Sequence, residues 1–485
     1  MKKIKLFISA LFVLGILYFL NTKIGNVPAL GKFLNPVTGI WQNEKNETIS
    51  GEVVIPGLID KVIVYYDKQM IPHVFAKNDH DLYKAQGYLT AKHRLWQLEF
   101  QTHAAAGRLS EILGDLAINY DRTQRRIGMV YGAEQGLKYM KKYDKETLGF
   151  VHDYTEGVNA YINQLDPINY PVEYKLLDYS PEKWTSKKSA LLLMYMTKML
   201  AGRDDDLEYT NVLRLIGMDN FNLLFPDFFD SVDPVIPKQT DWSFIDKPQT
   251  SFPLNYAVLD TITETIKKPN PDNGSNNWAI SGAKSITGNP ILANDPHLGL
   301  NLPSIWMMMQ LCSPTHNVMG TTIPGALSII SGFNQNIAWG ETNATRDVID
   351  WYKIEFNQDR TKYLFDDSWK DVRNRLEEIK IRGGEKIIDT VLYTHHGPVV
   401  YDKNFKSNNQ RSGYAMRWIA HDGGNHQRTF IELNKAKNYD DYVNALKYWD
   451  APAQNFVFAS TEGDIALWIQ GKFANKWEGQ GKFLM

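Results

Sequence analysis

The chain has 485 residues, 43% hydrophobic and 22% charged, with 34 glycines and 21 prolines. This is the composition of a globular protein, not of a disordered, collagen-like or multi-spanning one. Lys and Arg total 53 against 55 Asp and Glu, a formal charge of -2. With no basic excess to meet phosphates, nucleic acid is not an expected partner.

In chain order, Lys2, Lys3 and Lys5 precede an apolar run from Leu6 to Leu20. A basic start followed by such a run is the secretory pattern. Asn21-Thr22-Lys23-Ile24 offers no small-x-small cleavage site, so residues 1–24 read as a signal peptide or a signal anchor. The lysines then stay cytoplasmic, and the rest of the chain is periplasmic or otherwise extracytoplasmic. Residues 25–50, punctuated by Gly, Pro and Asn, read as a linker. Gly51 to Leu58 and Val62 to Asp67 read as two β segments joined by a turn. From Asp79, placed to cap a helix, Leu82, Ala85, Tyr88, Leu89, Leu95 and Leu98 recur at helical spacing. Further helical patterns cover 145–165, 186–200 and 208–215, so 51–233 is expected to be mainly helical.

Between Pro234 and Gly274, six prolines interrupt any long element. Residues 234–274 therefore read as a spacer, the kind of stretch where proteolytic nicking concentrates. From Ser275 the texture turns to short β segments: 277–280, 290–293, 327–330, 337–340, 352–356 and 390–393. Gly, Asn and Pro turns between them suggest antiparallel sheets. A helix-rich first part and a strand-rich second part define an α+β class. The lone Cys312 ends an apolar run, cannot form an internal disulfide, and reads as a buried structural thiol.

Most catalytic motifs are missing from the sequence: G-x-G-x-x-G, the P-loop, H-E-x-x-H, zinc-type Cys/His spacing and G-x-S-x-G. Ser281-Gly282-Ala283-Lys284 matches S-x-x-K, but the S-D-N and K-T-G that should accompany it are lacking. Asp204-Asp205-Asp206 reads as a solvated acidic loop. One segment stands out. Gly274-Ser275-Asn276-Asn277-Trp278-Ala279-Ile280-Ser281-Gly282 follows directly on the spacer. By residue type alone it is an Asn-Gly turn leading into a strand.

Other segments accompany it in colinear order. Upstream are 81–88, His93-Arg94-Leu95-Trp96-Gln97-Leu98-Glu99, 106–111 and Asp121-Arg122. Downstream are Leu292-Ala293-Asn294-Asp295-Pro296-His297-Leu298-Gly299, 320–326, 332–340 and Thr394-His395-His396-Gly397-Pro398. From Gly51 onward the chain resembles the penicillin acylases (penicillin amidases), a family of N-terminal nucleophile hydrolases.

The resemblance implies an αββα sandwich with a mainly helical first subunit. It also implies a chain that cuts itself between Gly274 and Ser275 into α and β subunits, with 275–485 as the start of the second. The substrate would be a small acyl amide of penicillin, cephalosporin or acyl-homoserine-lactone type. Ser275 would then be the nucleophile, and the α-amine it exposes would be the base; such an amine has a pKa of about 7.7–8.0. Asn343 occupies the place whose backbone N–H serves the oxyanion hole. His297 matches a position expected beside Ser275. Asp347, the Ile349 carbonyl and Asp350, with Glu208 from the first subunit, match a structural Ca²⁺ site, hard oxygen donors being what that ion takes.

Positions that form the phenyl pocket of penicillin G acylases carry Leu298, Ser331 and Thr345, with Asp204 near another. An aliphatic or more polar acyl group suits them better than phenylacetyl. A second oxyanion donor, an Asn side chain in the family, is expected beyond Met485. The chain therefore reads as a fragment, one part of a split gene, or an inactive product. Two other readings stay open: a membrane-anchored, non-catalytic remnant that binds ligands, and an S-x-x-K acyl enzyme using Lys284.

Overall fold

The computed structural model describes residues 2–24, 28–44, 50–201, 205–226, 239–244, 257, 274–407, 409, 412–476 and 480–485. The spacer 234–274 and Asp204 lie largely or wholly outside them.

The first helix, α1 (Lys2–Asn21), carries no buried residue and has a mean hydropathy of 2.1 over its most apolar stretch. At 1.5 Å per residue its 20 residues span roughly 30 Å. That is the length and composition a signal or anchor segment needs.

Strands β1 (Ile63–Tyr66) and β2 (Pro72–Phe75) form the first antiparallel pair. The expected strand at Gly51 to Leu58 is instead irregular. Its continuation is tied to a helix start, because the Asp81 carboxylate accepts the Ile59 and Asp60 N–H groups at 2.9 and 2.8 Å. That helix is α2 (Asp79–Ala106), capped by Asn78 and not by Asp79. The Asn78 side chain takes the Asp81 N–H, and Gly107 at φ 63° closes the far end. α2 crosses the helix Lys145–Ile162 so closely that a Cβ on Gly87 or Gly157 would strike the other helix's backbone.

The hairpin β3 (Gly274–Ile280) and β4 (Ile291–His297) follows, then β5 (Met307–Cys312), β6 (Asn317–Thr322), β7 (Ser331–Asn334) and β8 (Ile337–Asn343). An eight-stranded sheet runs β1-β2-β5-β6-β7-β8 and continues through Gln454–Ser460 and Ile465–Gln470. One of its pairs, β2 with β5, is parallel, against the antiparallel expectation. Residues 327–330 form no strand, although Leu327 and Ile329 are buried. The Asn434 side chain takes over the ladder there, accepting from the Ile329 N–H at 2.9 Å and donating to its carbonyl at 2.7 Å. Cys312 is half-buried at the end of β5.

One sheet face packs Trp339, Ile337 and Phe456 against α2 and the helices His426–Lys435 and Tyr439–Leu446. The β3–β4 hairpin covers the other face at β8, where a Cβ on Gly340 would collide with Asn294. The hairpin's outward residues Trp278 and Ile291 are exposed. Helices, sheet and hairpin thus supply three successive layers of the αββα sandwich, within an α+β class.

Candidate active site

Strand alternation aims the site residues. In β8, Ile337, Trp339, Glu341 and Asn343 share the face turned to the helices. In β3, Ser275, Asn277 and Ala279 turn toward the large sheet, and the Asn277 amide donates to the Asn455 carbonyl at 3.2 Å. Ser275 thereby meets the end of β8, where the Asn343 N–H donates to its hydroxyl oxygen at 3.5 Å.

Asn343 is held from three sides. Its side chain donates to the Leu200 carbonyl at 2.6 Å and accepts the Thr345 N–H at 3.0 Å. Its own carbonyl accepts the Asn455 amide at 3.2 Å. An N–H fixed in this way is preorganised for negative charge developing near Ser275.

Ser275 and Asn343 open onto a cavity of about 110 Å³. Its walls are apolar and include Leu192, Met196, Leu298, Ile330, Phe430 and Trp449. Of the pocket residues expected from sequence, Leu298 lines it. Ser331 accepts from the Asn294 amide at 3.1 Å and stands against Glu341. Thr345 lies instead on a neighbouring groove with Arg346, Asp347 and Gln480.

Glu341 also lines the cavity, and sequence reading passed it over. Among the described residues, neither of its shielded carboxyl oxygens has a partner in good hydrogen-bond geometry. Burial pushes this carboxyl up to about 8, with the Ser331 hydroxyl pulling more weakly downward. The signal was present in the sequence: an acid two residues before Asn343, in phase with Ile337 and Trp339.

His297 pairs across the hairpin with Gly274, not with Ser275, which pairs with Pro296. It is therefore on the outward face, where its ring meets the Asp295 carboxylate at 3.0 Å. A Cβ on Gly274 would stand 3.6 Å from His297 Nδ1, so the ring lies beside the 274–275 peptide.

The expected calcium carboxylates are brought together, but around a lysine. Lys476 Nζ donates to Asp347 at 2.8 Å and to Asp350 at 2.7 Å. Burial pulls the Lys476 pKa down, and the two carboxylates more than offset this, holding it above its ordinary value. Ile349 is buried, and its N–H serves the Asp347 carboxylate. Glu208 is half-buried in the helix Asp206–Leu224, and nearby Asp206 accepts the Trp351 N–H at 3.2 Å. A dication between Asp347 and Asp350 would share its place with an ammonium, so this arrangement does not fit calcium there.

A family model described as Penicillin amidase matches residues 61–485. The acyl-homoserine lactone acylase QuiP of Pseudomonas aeruginosa is 28% identical over 449 residues, covering 89% of this chain and 52% of that protein. Penicillin acylase 2 proenzyme of Pseudomonas sp. (strain SE83) is 29% identical, covering 73% of this chain and 45% of its own length. Penicillin G acylase of Escherichia coli is 21% identical, with coverages of 86% and 54%. A solved structure of thermostable penicillin G acylase from Alcaligenes faecalis, in orthorhombic form, matches with a TM-score of 0.37 at 25% identity, covering 40% of this chain and 35% of that one. The chain spans about half the length of the curated relatives it matches. With 425 consecutive residues under the family model, the chain belongs to the penicillin amidase family.

Proposed function

We propose that the protein is an exported, self-processing amidohydrolase that removes an acyl group from an amide through an ester on Ser275. The observation that carries this reading is the Asn343 N–H held at the Ser275 hydroxyl, at the mouth of an apolar cavity.

In processing, the Ser275 hydroxyl attacks the Gly274 carbonyl and the Ser275 nitrogen leaves as an amine. The resulting ester is opened by water, freeing the Gly274 carboxylate and the Ser275 α-amine. The products are a first subunit ending with the spacer, 234–274, and a second beginning at Ser275. The proximity of the exposed His297 ring to Gly274, its partner in the hairpin, supports a role for it at the peptide that breaks.

In turnover, the α-amine takes the hydroxyl proton through a water as Ser275 Oγ attacks the substrate carbonyl. The oxyanion receives the Asn343 N–H, a type of donor worth about 2.7–4 kcal/mol. The ammonium returns its proton to the departing amine, and water then hydrolyses the acyl ester. The acyl chain occupies the cavity beside Leu298 and Met196, and the amine departs toward solvent. Relatives named for penicillin and for acyl-homoserine lactones support this substrate class. The apolar helix α1 serves as export signal or anchor.

The test is a panel of acyl amides given to the full-length protein and to Ser275→Ala. Hydrolysis of aliphatic amides by the first and not the second is expected. Equal rates for both would refute the assignment of the nucleophile.

A further inference from the structure

The cavity is apolar along its walls, yet it contains polar atoms that are poorly satisfied among the described residues. Among the described residues, neither the Glu341 carboxyl oxygens nor the Gln454 side-chain N–H₂ has a partner in good hydrogen-bond geometry, and all are shielded from solvent; only the Ser331 hydroxyl acts, weakly, on the carboxyl. Both residues line the cavity. Gln454 pairs with Asn343 and Phe456 with Glu341, so Glu341 and Gln454 are diagonal neighbours on one sheet face. Buried polar groups are almost always hydrogen-bonded, and an unmade bond costs stability. Two such groups on adjacent strands, next to the nucleophile, point to a partner that arrives with the substrate.

Given the acyl-hydrolase reading above, we infer that Glu341 and Gln454 are specificity-determining residues that recognise a hydroxyl or oxo substituent on an otherwise aliphatic acyl chain. Glu341 is two strand positions from Asn343, roughly 7 Å along β8. The substituent therefore lies near the acyl carbonyl and not at the distal end of the chain. A neutral Glu341 donates O–H, and the Gln454 amide donates N–H; an oxo oxygen accepts both, and a hydroxyl accepts one and returns its proton to the Glu341 carbonyl. A cationic substituent fits less well, since it would place a buried ion pair among Phe430, Leu192 and Trp449.

The acid must hold its proton for this role, and burial keeps it protonated up to about pH 8. Other groups facing it do not titrate in the same range. His426, across the cavity, is held neutral by burial down to about 4. Tyr442 donates its phenol to the Phe456 carbonyl at 2.9 Å, and burial raises its pKa far above neutral. An unperturbed α-amine, as Ser275 would expose, titrates at about 7.7–8.0, but it acts equally on every substrate and cancels in a ratio of two.

The experiment compares kcat/KM for octanoyl and β-hydroxyoctanoyl amides of one amine, across pH 6 to 9, with the full-length protein. The expected preference is about tenfold for the oxygenated chain, declining as pH rises through about 8. Glu341→Gln keeps the preference and makes it independent of pH. Glu341→Leu abolishes the preference and raises the rate on plain octanoyl amide, and Gln454→Leu weakens the preference. A preference that is absent in the parent, or unchanged in Glu341→Leu, overturns the inference. Binding of octanoate and β-hydroxyoctanoate to the Ser275→Ala protein separates this from failure of the hydrolase reading. Selective binding that Glu341→Leu removes supports the inference even without turnover, and equal binding of both acids to both proteins defeats it.

Discussion

Two acidic sites stand within ten residues of each other in sequence and show opposite solutions to the same problem. Glu341 points into an apolar cavity with no well-placed partner among the described residues, and burial raises its pKa to about 8. Asp347 and Asp350, just past the end of β8, both accept from Lys476, which sits between them. An acid held by a lysine is a strut, joining the start of the strand Ile349–Glu355 to the C-terminal segment. An acid left alone beside a nucleophile is a binding group waiting for its counterpart. Burial does not separate the two cases; partnership does.

Breaking the strut should give the largest effect on stability. Lys476→Met leaves the buried Asp350 without a counter-charge, and a loss of about 2–3 kcal/mol is expected, the exposed Asp347 contributing least. A lowered urea midpoint with an unchanged slope would show it. Chelation with EDTA should leave the melting temperature of the parent where it is. In Lys476→Met, added calcium should raise it, because the vacated carboxylates then resemble an oxygen site. A parent protein that melts earlier in EDTA would restore calcium to this place.

At the nucleophile, the relevant partnership is the one that aims a backbone N–H. Asn343→Ala keeps the donor but loses the bonds to Leu200 and Thr345. A fall in kcat of about tenfold with KM little changed is expected, as for a slightly misplaced catalytic group. A pure KM effect would mean that Asn343 only shapes the pocket.

The smallest effect should have the opposite sign. Replacing Glu341 by Leu removes a buried carboxyl with no well-placed partner among the described residues, and a gain of about 1 kcal/mol is expected. The pH dependence has a definite sign. The folded pKa of about 8 lies above the ordinary 4.5, so the folded state holds the extra proton between those values. The contribution of this group is fully present below about pH 4.5 and is lost as pH rises through about 8. Denaturant midpoints of the parent should decline across that window, and those of Glu341→Leu should decline less.

The parts legible in the sequence were those set by local chemistry or by a long colinear pattern. The apolar periodicity of α2 and the β3 segment after the spacer followed from neighbouring residues, and Asn343 was reached only through the family resemblance. What escaped depended on distant partners. Residues 327–330 look like a strand but find their hydrogen bonds in Asn434. The Asp347–Asp350 stretch reads as a cation site, and its ion-pair partner Lys476 comes from more than a hundred residues on, where no local pattern points to it. His297, expected beside Ser275, pairs with Gly274, so its ring is beside the 274–275 peptide but on the outward face, a detail that only the hairpin register sets. Glu341 was legible in principle, since its phase in β8 matches Trp339, but an acid in a core strand carries no motif.

The most direct test of the central claim is the mass of the purified full-length protein beside that of Ser275→Ala. Two chains are expected for the parent, one starting at Ser275, and a single uncut chain for the variant. A parent that stays intact while hydrolysing acyl amides, or a variant that is cut at the same peptide, would contradict it.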